Sequence, residues 1–253
     1  MSLMHHLQCT EEDIGKYVFL PGDPGRVPVI ASYLEDAKPK ASNREYVTWT
    51  GSLSGVKVSV VSTGIGCPSA AIALEELIKL GAHTFIRIGT CGCIDDSLLP
   101  GNCIIATGAV RRDGTSLQYM PIEYPAVANQ EIISALMTAA EKHHLTAYTG
   151  IVESKDSYYG QHEPDNSPVK DMLNYKWNCL KKGGVLGSEM ECSALFVISG
   201  IRKVRAGAIL HIMRNREREK LLQSEPSIES DTAPTIQAAV SAMELLIEKD
   251  LKS

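Results

Sequence analysis

Short apolar segments alternate with longer amphipathic segments along the whole chain, and this order constrains the fold more than any other feature of the sequence. Periodicity and turn residues predict strands near residues 17–21, 45–50, 56–63, 84–90, 103–109, 147–154 and 205–213, and helices near 25–35, 68–80, 129–143, 189–199 and 232–250. Such alternation is typical of α/β proteins, in which ligands bind beyond the carboxyl ends of the strands. We therefore predict an α/β fold with its site at that edge of the sheet.

The composition favours one domain. Of the 253 residues, 44% are hydrophobic, which is enough for a substantial core. No linker, charged block or internal repeat divides the chain, so residues 1–253 are predicted to form a single domain. The net charge of -5 and the dispersed basic residues argue against nucleic acid as a partner.

Cysteine usage and hydropathy indicate the compartment. The seven cysteines are odd in number and lack the spacing of a CxxC motif, which favours a reducing environment. The segment from His5 to Asp13 does not have the pattern of a secretion signal, and the longest uncharged stretch, residues 58–74, is broken by two glycines and a proline. We expect a cytoplasmic protein with no membrane partner.

Arg87 places a cation inside the otherwise apolar run of residues 85–92, where a buried strand would end at a ligand pocket. Burying an unpaired charge is costly, so a buried guanidinium needs an anion. That anion is either a bound phosphate or carboxylate, or an ordinary side-chain carboxylate at a sheet edge. Arg87 alone leaves both interpretations open.

The segment Pro21–Arg26 predicts a strand end, a glycine turn and a helix start. Glycines let the backbone approach an anion, while helix N-terminal amides and Arg26 supply hydrogen-bond donors. The segment is similar to a phosphate cradle, although it lacks the GxxxxGK[ST] spacing of a Walker P-loop. A simple turn would have the same composition.

The segment Gly187–Phe196 predicts a buried helix that is capped by Ser188 and carries Glu189 and Glu191 in its first turn. Favourable interaction with the helix dipole would by itself account for the two acids. Because residues 192–199 are almost all apolar, these acids are also candidates to face a cavity, where a carboxylate can accept hydrogen bonds from ribose hydroxyls.

In this order, the three segments resemble the nucleoside phosphorylase-I family, within the PNP/UDP phosphorylase superfamily, and most closely its uridine-cleaving members. The resemblance covers nearly the whole chain and extends to Ser62–Ser69 with Ala70–Leu77, Arg111–Ser116, Pro121–Val127 and Tyr158–Pro164. It implies a single-domain, three-layer α/β/α fold with a central mixed, twisted sheet flanked by helices.

The activity implied is that of a pentosyltransferase in pyrimidine salvage, which converts uridine and phosphate to uracil and ribose 1-phosphate. Deoxyuridine and thymidine are further candidate substrates. Phosphate is the co-substrate, and no organic cofactor is expected. The two acids near residue 190 are then ribose or helix-start groups rather than a hydrolytic pair.

The resemblance also implies roles for individual residues. The phosphate site would comprise Gly22, Arg26, Arg44, Arg87 and Thr90. The ribose site would comprise His6, Met190 and Glu191. The base site would comprise Tyr158, Gln161, His162 and Arg216. The residues expected to carry catalysis are Arg87, Gln161 and Glu191.

Two of these residues are expected to serve a neighbouring subunit. Arg44 and His6 would reach across a dimer interface, and the dimers would assemble into a hexamer as a trimer of dimers. A monovalent cation such as K⁺ is expected at Glu45, Ile65 and Ser69.

The base site departs from the pattern of the bacterial relatives. Gln161 offers an acceptor and a donor to uracil, and Tyr158 can stack on the ring. The arginine expected two residues after Gln161 is replaced by Glu163. His162 and Arg216 are the candidates to replace part of its function.

Three alternatives remain. A purine nucleoside phosphorylase would have an acid at the end of the late strand, whereas His211–Asn215 contains none. A nucleoside hydrolase of this scaffold would not need the arginines at positions 26, 44 and 87. A non-catalytic nucleoside-binding protein would bind nucleoside without turnover.

Overall fold

The computed structural model describes residues 3–252, which form ten strands and eight helices. The strands are β1 (Tyr17–Pro21), β2 (Glu35–Asn43), β3 (Tyr46–Leu53), β4 (Val56–Val61), β5 (Thr84–Cys93), β6 (Cys103–Arg112), β7 (Ala126–Val127), β8 (Ala147–Lys155), β9 (Gly187–Glu189) and β10 (Arg205–Arg214). The helices are α1 (Arg26–Ala31), α2 (Cys67–Lys79), α3 (Gln130–Lys142), α4 (Tyr158–His162), α5 (Lys170–Lys182), α6 (Cys192–Arg202), α7 (Arg216–Leu222) and α8 (Ala233–Leu251).

All ten strands belong to one mixed sheet, with β5 at its centre. β5 runs parallel to β1 and to β10, so that Arg87 lies beside Leu20 on one side and Ala208 on the other. At its end β5 pairs antiparallel with β9, through Gly92 and Ser188. Because β10 pairs with β5 and also continues through β6 and β8 to β9, these five strands close into a ring that includes β5.

Two apolar cores cover the two faces of this sheet. Alternate residues of β5 point to opposite faces, so Phe85 packs in the core that includes α2 and α6, whereas Ile86 and Ile88 pack in the core that includes α1, α3 and α8. The arrangement is a three-layer α/β/α fold, which confirms the predicted fold class. Among residues 3–252, no helix has both the length and the apolar character needed to cross a membrane.

The predicted helix at 189–199 starts in the wrong place. Residues 187–189 form β9, and α6 begins at Cys192. Ser188 is therefore not the helix cap. The Glu189 carboxylate instead accepts hydrogen bonds from the backbone N–H groups of Glu191 and Cys192, which would otherwise lack partners at the helix start.

Several surface elements were missed because they lack an apolar pattern. The predicted helix at 25–35 ends at Ala31, and β2 follows with no buried residue. Helix α5 buries only Leu180, and α7 buries none of its residues. Periodicity detects only the elements that bury one face, so it could not find these.

Candidate active site

A cavity of about 1400 Å³ opens beyond the carboxyl ends of β1, β5 and β8, where the α/β pattern predicted it. It brings together most of the residues assigned from the sequence: Gly22, Arg26, Glu45, Ile65, Arg87, Thr90, Tyr158, Gln161, His162, Met190, Glu191 and Arg216. His6, Arg44 and Ser69 do not line it.

Arg87 is buried and held by two carboxylates. Its Nε donates to Glu189 Oε2 at 3.1 Å, and its Nη2 donates to Glu191 Oε2. Glu189 ends β9 and Glu191 lies two residues beyond it, and the pairing of β9 with the end of β5 brings both acids to the guanidinium. The ordinary ion pair that the sequence left open is therefore present, but it does not satisfy the whole side chain.

Two guanidinium nitrogens at this end of the cavity lack acceptors. Arg87 Nη1 and Arg26 Nη1 are both buried without a hydrogen-bond partner in the described part of the chain. A Cβ atom at Gly22 would lie 3.8 Å from Arg87 Nη1, so the glycine leaves this nitrogen open. Buried donors are almost always satisfied. Two unsatisfied cationic donors from residues that line the same cavity therefore indicate a site for an anion.

The positive charges of Arg26 and Arg87 repel each other. Burial lowers the pKa of Arg26, the Asp23 carboxylate opposes this shift, and the positive charge of Arg87 adds to it. The ion pair between Arg26 and Asp23 is long, at 3.9 Å. A dianion between the guanidinium groups would relieve this repulsion and satisfy both open nitrogens.

The two acids near residue 190 have different partners. Glu189 is buried and fully used: it accepts from Arg87, from Ser154 and from the amides at the start of α6. Glu191 accepts from Arg87 and from the Gly66 amide, one hydrogen bond on each carboxylate oxygen. Burial raises the pKa of Glu191, and Arg87 opposes this shift. Glu191 lines the cavity and has lone pairs left for a sugar hydroxyl.

The other end of the cavity holds an amide. Gln161 Oε1 lies 3.0 Å from Ser188 Oγ, and the Nε2 group has no hydrogen-bond partner among residues 3–252, so it can donate to a ligand. The Tyr158 ring lies 4.3 Å from the His162 ring, so the two form an aromatic wall. Burial and the charges of Arg216, Lys155 and Arg214 lower the pKa of His162 to about 4, so its imidazole is neutral near pH 7.

Glu163 does not take part in this wall. Its side chain is exposed, and Oε2 accepts from Asn166 Nδ2 at 3.1 Å. Arg216 does line the cavity, and its Nη1 donates to the His162 carbonyl at 3.4 Å. Glu163 therefore does not line the pocket at the position where an arginine was expected.

Arg44 and His6 lie together at the surface and do not line the cavity, whereas Glu45, the residue after Arg44, does. Arg44 is exposed at the turn between β2 and β3, with φ of 54°. The neighbouring Asn43 donates to the His6 carbonyl at 2.8 Å, and His6 Nδ1 bonds Glu76 Oε1 at 2.8 Å. The two residues predicted to serve a neighbour therefore share one surface of this subunit.

Oxygen atoms gather where a monovalent cation was predicted. Ser69 Oγ lies 2.8 Å from Glu45 Oε1 and 3.1 Å from the Tyr46 hydroxyl, and it donates to the Thr63 carbonyl. Ile65 is exposed in the adjacent turn. Carboxylate, hydroxyl and carbonyl oxygens are hard ligands that suit hard cations, so the donor set fits such an ion.

Sequence reasoning gave no role to the charged groups at the ends of β8 and β6. Lys155 and Arg112 line the cavity, and Glu153 is buried between Arg112 and Ser188. The available signal was the position of Lys155, directly after an apolar strand that was predicted to end at the pocket. Trp177 and Glu217, also in the lining, come from α5 and α7, which the sequence pattern did not predict.

The fold and the two open guanidinium nitrogens define an α/β protein with an anion site beyond the carboxyl ends of its strands. The family model described as Phosphorylase superfamily matches residues 16–248. This chain belongs to the phosphorylase superfamily, which confirms the family predicted from its motifs.

Individual relatives of this chain carry names that are more specific than that of the superfamily. The chain is 46% identical over 246 residues to uridine phosphorylase of Treponema pallidum, covering 97% of this chain and 95% of the relative. It is 44% identical to uridine phosphorylase of Thermococcus kodakarensis, with coverage of 85% and 78%. It is also 38% identical to guanosine phosphorylase of Halorubrum lacusprofundi, with coverage of 85% of each chain.

Proposed function

We propose that this protein is a pentosyltransferase that cleaves uridine with phosphate, giving uracil and ribose 1-phosphate. The observation that carries the proposal is the pair of buried, unsatisfied guanidinium nitrogens of Arg26 and Arg87 beside Glu191. A hydrolase needs water at this position and not a dianion. The names of the two most similar relatives reported above support uridine as the nucleoside.

Phosphate would bind to Arg26 and Arg87, with Thr90 and the backbone at Gly22 completing the site. Glu191 would accept a hydrogen bond from a ribose hydroxyl and hold the sugar between phosphate and base, beside Met190. This arrangement places the nucleophile against the anomeric carbon before reaction, which converts binding energy into orientation.

The reaction needs no covalent bond to the protein. As the C1′–N1 bond lengthens, the ribose gains oxocarbenium character and a phosphate oxygen attacks C1′ from the opposite face. The electron pair of the broken bond moves onto the uracil ring and its carbonyl oxygens. Gln161 can donate to one of those oxygens through Nε2 and stabilise the developing charge.

Guanosine is the second candidate nucleoside, because one relative carries that name. A departing purine is helped by an acid that protonates it. In this chain the residue that follows β10 is Asn215, whose Nδ2 donates to the Asp95 and Leu98 carbonyls, both at 2.8 Å. Asn215 therefore has a structural role in the loop, and this observation favours the pyrimidine.

Self-association belongs to the same proposal. Arg44 and His6 lie outside the cavity of their own subunit, so they are available to complete the site of a neighbour. We propose a dimer with shared sites, assembled further into a hexamer as the family resemblance implies.

A monovalent cation such as K⁺ would be held by Glu45, Ser69 and the backbone at Ile65. It would neutralise the Glu45 carboxylate next to the turn that contacts the substrate. We place the enzyme in the cytoplasm, because all seven cysteines are free thiols.

The test is an ultraviolet assay of uridine, thymidine, deoxyuridine, inosine and guanosine, each with and without phosphate. We expect uracil release from uridine that depends on phosphate. Equal release without phosphate would favour a hydrolase, and a preference for guanosine or inosine would favour the purine alternative. Binding of nucleoside without turnover would favour a non-catalytic protein.

A further inference from the structure

Lys155 is a buried cation in the cavity to which the phosphate and ribose sites give no role. It is the last residue of β8 and is 6% exposed. Its Nζ donates to Ser188 Oγ at 2.8 Å, and it forms no ion pair with a carboxylate of residues 3–252. An ammonium group has three N–H donors, so two remain for an acceptor in the cavity.

The amide of Gln161 lies next to this cation. Ser188 Oγ contacts both Lys155 Nζ, at 2.8 Å, and Gln161 Oε1, at 3.0 Å. Two atoms that share such a partner are within about 6 Å of each other. Lys155 and Gln161 are therefore placed to contact the same small planar ligand.

The surroundings explain why the cation is tolerated. Burial lowers the pKa of Lys155, whereas the carboxylates of Glu153, Glu189 and Glu191 oppose this shift from a distance. Glu153 itself is committed to Arg112 and Ser188. The positive charge is thus stabilised without being neutralised by a direct partner, which suits it to stabilise a transient negative charge.

Building on the uridine phosphorolysis proposed above, we propose that Lys155 donates a hydrogen bond to a uracil carbonyl oxygen and stabilises the departing base. Lys155 would thereby replace the arginine that is absent at Glu163, whose side chain faces solvent. When the C1′–N1 bond breaks, its electron pair delocalises onto the carbonyl oxygens next to the cation. The proton that completes neutral uracil then comes from water, and Lys155 keeps its own.

The first comparison is between Lys155→Met, which keeps the length of the side chain, and Lys142→Met, which changes an exposed lysine on α3. Loss of a hydrogen bond to a charged group predicts a fall of about 10- to 150-fold in kcat/KM for uridine in Lys155→Met. The KM for phosphate should stay near the wild-type value, and Lys142→Met should match the wild type throughout. If Lys155→Met does not fold, Lys155→Arg is measured in its place, because it keeps the charge.

The second comparison separates a direct contact from an effect on Gln161. In 5-fluorouridine the base is a better leaving group, so the fall in Lys155→Met should be smaller than with uridine. If Lys155 acted only by orienting Ser188 and Gln161, adding Lys155→Met to Ser188→Ala would cause no further loss. We expect a further loss.

The outcomes distinguish the two proposals. Suppose that the wild type cleaves uridine. If kcat/KM is then unchanged in Lys155→Met, or falls equally for uridine and 5-fluorouridine, the role of Lys155 is overturned and uridine phosphorolysis stands. Wild-type turnover of guanosine without uridine would overturn the uridine proposal and with it the uracil contact.

Discussion

At the scale of single residues, Arg26 and Arg87 share one predicted ligand but have different structural partners. Arg87 is bound to two buried carboxylates, while Arg26 has only a long contact with a half-exposed acid. Removing Arg87 would leave Glu189 and Glu191 as buried charges without their main partner. Variants of the two arginines therefore allow the effect on anion binding to be measured separately from the effect on stability.

Arg26→Ala should raise the KM for phosphate by roughly 10- to 150-fold, because a charge-assisted hydrogen bond is lost, and should change the free energy of unfolding little. Arg87→Ala should impair phosphate binding and also lower the unfolding free energy by about 3–5 kcal/mol. Steady-state kinetics and urea unfolding of both variants check this. A wild-type KM for phosphate in Arg26→Ala would show that Arg26 does not contact the phosphate.

His162 gives a prediction on pH. Its pKa is lowered from 6.5 to about 4 in the folded protein. Between these values the unfolded chain binds a proton that the folded protein does not, so the fold loses stability as pH falls from 6.5 toward 4. His162→Gln should lose less stability over that range, measured by urea unfolding from about pH 7 to about pH 4.5. The same pH dependence in both proteins would contradict a neutral, partly buried imidazole.

At the scale of elements, the turn between β1 and α1 positions the anion site through Gly22. A Cβ atom there would be 3.4 Å from the Gly64 carbonyl oxygen and 3.8 Å from Arg87 Nη1, so a methyl group fits but approaches the open nitrogen. Gly15, just before β1, is different. A Cβ atom there would be 2.3 Å from the Lys57 carbonyl oxygen.

We expect Gly22→Ala to raise the KM for phosphate while leaving the free energy of unfolding close to the wild-type value. Gly15→Ala should instead lower the unfolding free energy by about 1–3 kcal/mol, because the backbone of β4 must move. Kinetics and urea unfolding of the two variants decide between these roles. If Gly22→Ala left phosphate binding intact, the turn would not contact the anion.

The sequence predicted the buried elements well and the surface elements poorly. Strands β1, β5 and β8 and helices α2, α3 and α8 have apolar faces, and their positions were predicted from periodicity. The start of α6 was misplaced, because Glu189 caps it through its carboxylate and a three-residue strand has no periodic signal. Lys155 was missed for a related reason: its burial depends on β9 and α4, which are set by tertiary contacts and not by local pattern.

At the scale of the whole molecule, the surface that carries Arg44 and His6 does not belong to the lining of the cavity. If this surface meets the cavity of a second subunit, each active site requires residues from two chains. Glu191 lies in the cavity itself. Variants at Arg44 and at Glu191 would then damage different halves of the same composite site.

Mixing Arg44→Ala subunits with Glu191→Gln subunits should restore activity that neither variant has alone. Each mixed dimer contains one intact site, so equal mixing predicts about one quarter of the wild-type activity. Subunit exchange is followed separately with a tagged chain, and each variant mixed with itself is the control. Exchange without recovery of activity would show that Arg44 does not act across the interface.

The central claim is that the anion held by Arg26 and Arg87 is the nucleophile of the reaction. The most direct measurement is phosphorus-31 NMR of the wild-type protein with uridine and inorganic phosphate. We predict that the phosphate signal decreases and a ribose 1-phosphate signal appears, in equal amount to the uracil released. Release of uracil with free ribose and an unchanged phosphate signal would contradict the account.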